Sequence, residues 1–236
     1  MVKIKFLYNR QKDASNWVDV TKDVDPSFGI SYKDSVRQVP LDLRKKILRS
    51  SRKEGIKAVL GYFRKNSWRV LKEDFLKLKQ EALTKIWKKK GNLLIKRLEE
   101  LTQRKFPRKN YTAFLTTLYI CAYDFKKGYF YLSLYHSLAV NFMVIAHELL
   151  HFLTYAYFQK YCLRNGLSEK QFQNLKESLT VLLNTDLFQR DVLLIEDNGY
   201  KPHQKMRRFI WKSWEEERDF EEVVRLATEK MRKGNF

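Results

Sequence analysis

His147, Glu148 and His151 have the residue types and the spacing that can do chemistry. Side chains four positions apart on a helix lie one turn above each other on the same side. The two imidazoles can therefore address one point, with the carboxylate beside them. Two neutral nitrogens and an adjacent carboxylate make the donor arrangement of a zinc site, in which the carboxylate can accept a proton from a water that the metal activates. The plain alternative is a pair of core histidines. It leaves three buried polar groups in need of partners, and an unpaired buried charge is costly; one metal ion would satisfy all three.

These residues sit in Val140–Phe158, VNFMVIAHELLHFLTYAYF, whose one formally charged residue is Glu148. Apolar side chains surround the trio on every face, which predicts a buried helix. The run approaches the roughly 20 residues that cross a bilayer. Its tyrosines, Asn141 and the polar trio argue against that, and no other segment approaches the length, so no membrane span is expected.

The positioning elements can be read from the rest of the chain. At 236 residues it can bury one good core, and aromatics at 14% favour a packed globule over disorder. Cys121 and Cys162 fall short of a disulfide framework. The start, MVKIKFLYNR, has no apolar secretory core, so cytoplasmic residence is the expectation. Lysine and arginine number 47 against 27 acidic residues, a formal charge of +20. That bears on partners and solubility, not on fold.

Val2–Tyr8 alternates as a half-exposed strand does, and Trp17–Val20 reads as a second short strand before a turn-rich stretch holding Pro26 and Gly29. Pro40 to about Arg104 is helical and basic, with Gly91-Asn92 expected to interrupt its longest helix. Lys88-Lys89-Lys90, Trp68 and Trp87 fit a nucleic-acid surface, or the solvated outer faces of amphipathic helices. No helix-turn-helix, RRM or zinc-finger signature is present, and the solvated face is preferred. Tyr111–Tyr123 and Tyr129–Tyr135, separated by DFKKG with Gly128 at a left-handed turn position, predict a β-hairpin feeding the histidine helix. That helix should end near Gly166, and Ser168 with Gln171 should cap the next, Glu169 to about Asn184. Met206–Met231 reads as one further helix.

The His-Glu-x-x-His pattern resembles the zincin metallopeptidases. Zincins with a Met-turn take a histidine soon after the motif, yet no histidine lies between His151 and His203. The chain is more similar to the gluzincins, and in architecture to the small minigluzincins, which take a glutamate from a following helix. Glu169 and Glu177 are available. Glu169 falls in a first helical turn, where acids serve the helix dipole. Glu177 lies on a polar line with Gln173, Thr180 and Asn184, opposite a stripe of Phe172, Leu175, Leu179 and Leu182, and is the preferred third ligand. The aspartate that orients a ligand histidine in thermolysin-like members is Val181 here, leaving Thr180 or Asn184 for that role. The resemblance also implies a strand edge above the cleft that pairs with extended peptide, and a downstream tyrosine or histidine stabilising the oxyanion. Tyr200 and His203, beside the Asp197-Asn198-Gly199 turn, are the candidates.

The expected fold is α+β and zincin-like: a small mixed sheet packed by basic helices and the histidine helix, with a helical C-terminal half. Residues 1–110 would pack on a zinc-site region of 111–236, in one compact domain. The expected activity is Zn2+-dependent hydrolysis of a peptide or protein substrate, with Glu148 as general base, in a chain either active as it stands or held latent by its tail. The alternative is a basic nucleic-acid-associated protein whose zinc site is structural or inactive. Weak non-specific nucleic-acid binding is compatible with both.

Overall fold

The computed structural model describes residues 2–22, 36–65, 69–120 and 122–234. Pro26, Gly29, Trp68 and Cys121 lie outside them. Strand β1 (Lys3–Tyr8) exposes Lys3 and Lys5 and buries Ile4 and Phe6, as its alternation predicts. It pairs in parallel with β2 (Asn110–Thr116), placing Ile4 beside Tyr111 and Phe6 beside Ala113. In sequence order β3 (Tyr123–Asp124) and β4 (Tyr129–Ser133) follow. The sheet order is β1-β2-β4-β3, with β4 parallel to β2 and β3 antiparallel to β4. The N-terminal strand thus shares a sheet with the strands beyond residue 110.

Two expectations change here. The expected hairpin is confined to β3 and β4, turned at Gly128 with φ +71°. The Tyr111–Tyr123 stretch stops being a strand at Thr116 and turns away. β4, the strand leading into the histidine helix, is consequently interior, and the edge beside it is the two-residue β3. Central strands buried on both sides read as apolar runs without alternation, so their partners could not be read locally.

The second change is at Trp17–Val20, which lies inside helix α1 (Arg10–Lys22). The side chain of Asn9 accepts from the Lys12 N–H at 3.0 Å and starts it. Ala14, Trp17 and Val18 then fall on one face. They pack with helices α2 (Leu41–Arg49) and α3 (Arg52–Lys65) around Ile47, Val59 and Phe63 in a small second core. Tertiary burial outweighs the β-branched local preference.

Helix α4 (Arg69–Thr102) runs through Gly91 without interruption. A Cβ there would come within 2.6 Å of the Trp87 ring, so the glycine lets the indole lie flat on its own helix. Helix α5 (Leu138–Arg164) starts at the Ser137 cap, which accepts from the Val140 N–H. It ends in a Schellman motif, Leu167 N–H to Cys162 C=O and Gly166 N–H to Leu163 C=O, with Gly166 at φ +94°. Helix α6 (Glu169–Leu179) opens on the Ser168–Gln171 capping box and tightens into a 3-10 turn over Thr180–Asn184. After the short α7 (Asp186–Gln189), helices α8 (Gln204–Glu217) and α9 (Phe220–Arg232) occupy the stretch expected as one helix. Arg218 at φ +52° breaks it, and Asp219 caps α9.

The fold is α+β with a mixed four-stranded sheet. Its main core joins one sheet face (Phe6, Ala113, Phe130, Leu132) to α4, α5, α6 and α9 through Leu98, Ile145, Leu149, Phe152, Leu175 and Val223. Each such large side chain contributes about 1.5–3 kcal/mol by leaving water. Among the described residues α5 alone is long and apolar enough to cross a membrane, and 61% of its most apolar window is buried inside the fold.

Candidate metal centre

Helix α5 places His147 and His151 one turn apart, with ring centres 4.2 Å from each other. Helix α6 packs across it and brings Glu177 to both. The Glu177 carboxylate lies 3.3 Å from His147 Nε2 and 3.1 Å from His151 Nε2. Donors about 2.0–2.2 Å from a tetrahedral ion stand roughly 3.3 Å apart. The residues therefore fit: His147, His151 and Glu177 form one group that could hold a metal ion. Glu169 is elsewhere, exposed at the start of α6 and bonded to Gln159 at 3.0 Å and Gln173 at 3.1 Å.

Further buried side chains hold this group in place. His147 Nδ1 donates to Asp197 Oδ2 at 2.6 Å, which leaves Nε2 as the ligand atom. Asp197 is the orienting group, in place of Thr180 or Asn184. Those two residues act one step further out. Thr180 Oγ1 reaches Asp197 Oδ1 at 3.3 Å, and Asn184 is bonded to the Asp197 backbone at both N–H (2.7 Å) and C=O (3.0 Å). Buried Arg207 donates to Thr180 Oγ1 at 2.8 Å, lies 3.2 Å from Asp197 Oδ1 and also donates to the Asp197 carbonyl. Gly199, at φ +58°, lets this guanidinium pass, since a Cβ there would meet it at 2.6 Å. The DNG triplet was legible as a turn; that its aspartate reaches His147 was not.

Lys176, only 1% exposed, donates to Glu177 Oε1 at 2.5 Å and sits 4.7 Å from the centre of the Tyr123 ring. Sequence reasoning missed it, although a lysine beside Glu177 on a largely buried helix was a usable signal.

The electrostatics follow from this enclosure. Burial would lower the His147 pKa, but Asp197 and Glu177 outweigh it and raise it to about 10. Burial dominates at His151 and lowers it to about 3. Burial pushes the other way on Glu177, yet His151, Lys176 and His147 hold it well below the carboxylate range. Asp197 is likewise lowered, by His147 and Arg207 against burial. A proton on His147 between two carboxylates occupies the electrostatic role that a bound cation would take. Glu148, beside the group, is raised to about 7 by burial, and its Oε2 has no hydrogen-bond partner among the described residues.

His147 and Glu148 face a cleft of about 530 Å³. It is lined by Val140, Met143 and Val144 of α5, by residues 195–200, Tyr200 among them, and by Arg37, Tyr119, Ile120 and His136. His203 is buried in the 3-10 turn after Tyr200, with the two rings 5.9 Å apart at right angles. His136, unassigned from sequence, lines the cleft as well. No family model, curated protein or solved structure matches this chain.

Proposed function

We propose that the protein is a zinc-dependent metallopeptidase of the gluzincin type, hydrolysing peptide bonds in the cleft above α5. One observation carries this reading: His147, His151 and Glu177 come together in one group, and Glu148, next to His147 on the helix, lines the adjoining cleft. The two imidazoles and the Glu177 carboxylate hold the metal, a ligand set with a position left for substrate. Bound zinc supplies Lewis acidity toward water and toward the scissile carbonyl.

Glu148 acts as the base. Its carboxylate accepts a proton from the attacking water and returns it to the departing amine. A carboxyl lifted to about 7 by burial suits that exchange near neutral pH. Asp197, backed by Arg207, keeps His147 in the tautomer that presents Nε2. Tyr200 donates to the carbonyl oxygen as negative charge builds on it, with His203 packed behind its ring. The α+β architecture, with an antiparallel edge strand whose Tyr123 ring lies 5.8 Å from His151, supports a zincin-like assignment. The exposed Lys88, Lys89 and Lys90 are consistent with weak, salt-sensitive attraction to nucleic acid beside this activity.

Two substitutions test the reading. The purified protein is expected to carry about one equivalent of zinc, and His147→Ala to lose it. Glu148→Gln is expected to keep zinc and fold while cleavage of an unstructured protein falls by about 10²–10⁴-fold. Metal analysis and a protease assay on the three proteins check this. Full zinc retention in His147→Ala, or native cleavage by Glu148→Gln, would overturn the assignment.

A further inference from the structure

The cleft is longer than the metal centre needs, and its two ends differ in charge. The α5 residues that line it follow one stripe: His147, then Val144 and Met143, then Val140, with His136 just ahead of the helix. At 1.5 Å rise per residue the stripe from Val140 to His147 runs about 10 Å, enough for about three residues of extended chain at about 3.3 Å each. The His147 end is acidic, with Glu148, Glu196 and Asp197.

The far end is basic and aromatic. The Arg37 guanidinium lies 5.1 Å from the Tyr119 ring centre, Tyr119 lies 4.9 Å from Tyr135, and Lys72 Nζ is 5.2 Å from the Tyr135 ring. Lys79 Nζ donates to the Leu134 carbonyl at 2.9 Å and also to that of His136, which fixes a cation at the backbone that carries the imidazole. His136 Nδ1 is buried with no hydrogen-bond partner among the described residues. The positive end of the α5 dipole adds to the same field. An imidazole and a guanidinium that both line the cleft, with further cations nearby and the apolar Val140, Met143 and Val144 alongside, suit an anionic guest.

We propose that Arg37 and His136 form a carboxylate-binding subsite at the far end of the cleft, selecting peptides with an acidic group about three or more residues from the bond over His147. Val140, Met143 and Val144 take apolar side chains in between. The inference rests on the metallopeptidase reading for which bond is cut, but the subsite is a binding property and is testable without turnover. The carboxylate belongs to an aspartate or glutamate side chain or to the peptide's own C-terminus.

The test is fluorescence anisotropy of the full-length protein with labelled decapeptides. Each has a Leu-Leu pair and one Asp moved stepwise along an alanine background, with Asn at the same position as its control. A further pair carries no Asp and ends in a free or an amidated C-terminus. Asp at the matching distance is expected to bind about tenfold tighter than Asn, the worth of one charge-assisted hydrogen bond. Arg37→Gln with His136→Gln should erase that difference. Changing Lys88, Lys89 and Lys90 to Gln together removes more charge from a helix surface and should leave it intact.

The C-terminal pair separates the two sources of the carboxylate: a side-chain site is indifferent to amidation, whereas an end-binding site is not. Equal affinity for Asp and Asn peptides at every position, joined by indifference to amidation, would overturn the subsite. So would a preference that survives the double substitution but not the lysine control, or an absence of binding by any peptide. Selective binding without cleavage would keep the subsite and remove the peptidase reading. Cleavage without selectivity would do the reverse.

Discussion

Two buried carboxyls show how differently this chain treats the same chemical group. Asp13, fully enclosed on α1, is satisfied on both oxygens. It accepts from Thr116 Oγ1 at 2.7 Å, the Thr117 N–H at 2.9 Å and Thr117 Oγ1 at 2.8 Å. Asn16 and Trp17 donate in turn to the two threonines. Glu148, also buried on α5, keeps one oxygen without a partner among the described residues. Burial raises the pKa of both. A buried carboxylate with every lone pair engaged ties elements together, here α1 to the end of β2. One left incomplete beside two histidines is the group to which the proposed function assigns proton transfer.

The sharpest break in that comparison would come from Asp13. Asp13→Ala leaves three donors without their acceptor inside a packed region, and is expected to cost about 3–5 kcal/mol of stability. Urea unfolding measures it. A loss below about 1 kcal/mol would mean the threonine network is not structural.

Glu148 should behave in the opposite way in metal-free protein. Its folded pKa near 7 stands above the ordinary 4.5. A raised carboxyl contributes stability that is fully present below pH 4.5 and lost as pH rises through 7. Glu148→Gln removes that loss. It should match the native protein near pH 4.5 and exceed it above pH 7, by on the order of 3 kcal/mol. Unfolding curves at pH 5 and pH 8 decide it, and a destabilised Gln variant at pH 8 would show that the carboxylate has a structural partner.

The smallest effect is expected at Asp197. Asp197→Asn keeps the backbone bonds to Asn184 but weakens the hold on His147. Zinc affinity should fall about 10–100-fold, roughly 1.4–2.7 kcal/mol. Competition with a chelator reads it. An unchanged affinity would place the orientation of His147 elsewhere.

The legible parts of this protein were those written in short-range pattern. The Val140–Phe158 run, apolar on every face, predicted a buried helix, and i, i+4 spacing put two imidazoles on one side. Capping chemistry placed Ser168 and Gly166, and the polar line on α6 singled out Glu177 over Glu169. Misreadings arose where a local signal lost to packing. Trp17–Val20 looks extended but sits in α1 because its apolar face fills a core. Gly91 looks like a break but seats Trp87. Met206–Met231 looks continuous but breaks at Arg218.

What the sequence by itself determined is the chemistry available: two imidazoles, a neighbouring carboxylate and a second carboxylate on the following helix. The first three depend on spacings of a few residues, which helix geometry converts directly into distances; the last is brought to them by the packing of α6 on α5. What only the tertiary structure decided is who stands behind them. Asp197 reaches His147 across 50 positions of chain, Arg207 braces Asp197, Lys176 is buried against Glu177, and Tyr119 and His136 meet in the lining of one cleft. Between them the chain passes through turns whose directions follow from the whole core, and no residue spacing encodes the result. Physically, a helix fixes neighbours by its own hydrogen bonds, while contacts between elements are set by how all apolar faces are buried at once.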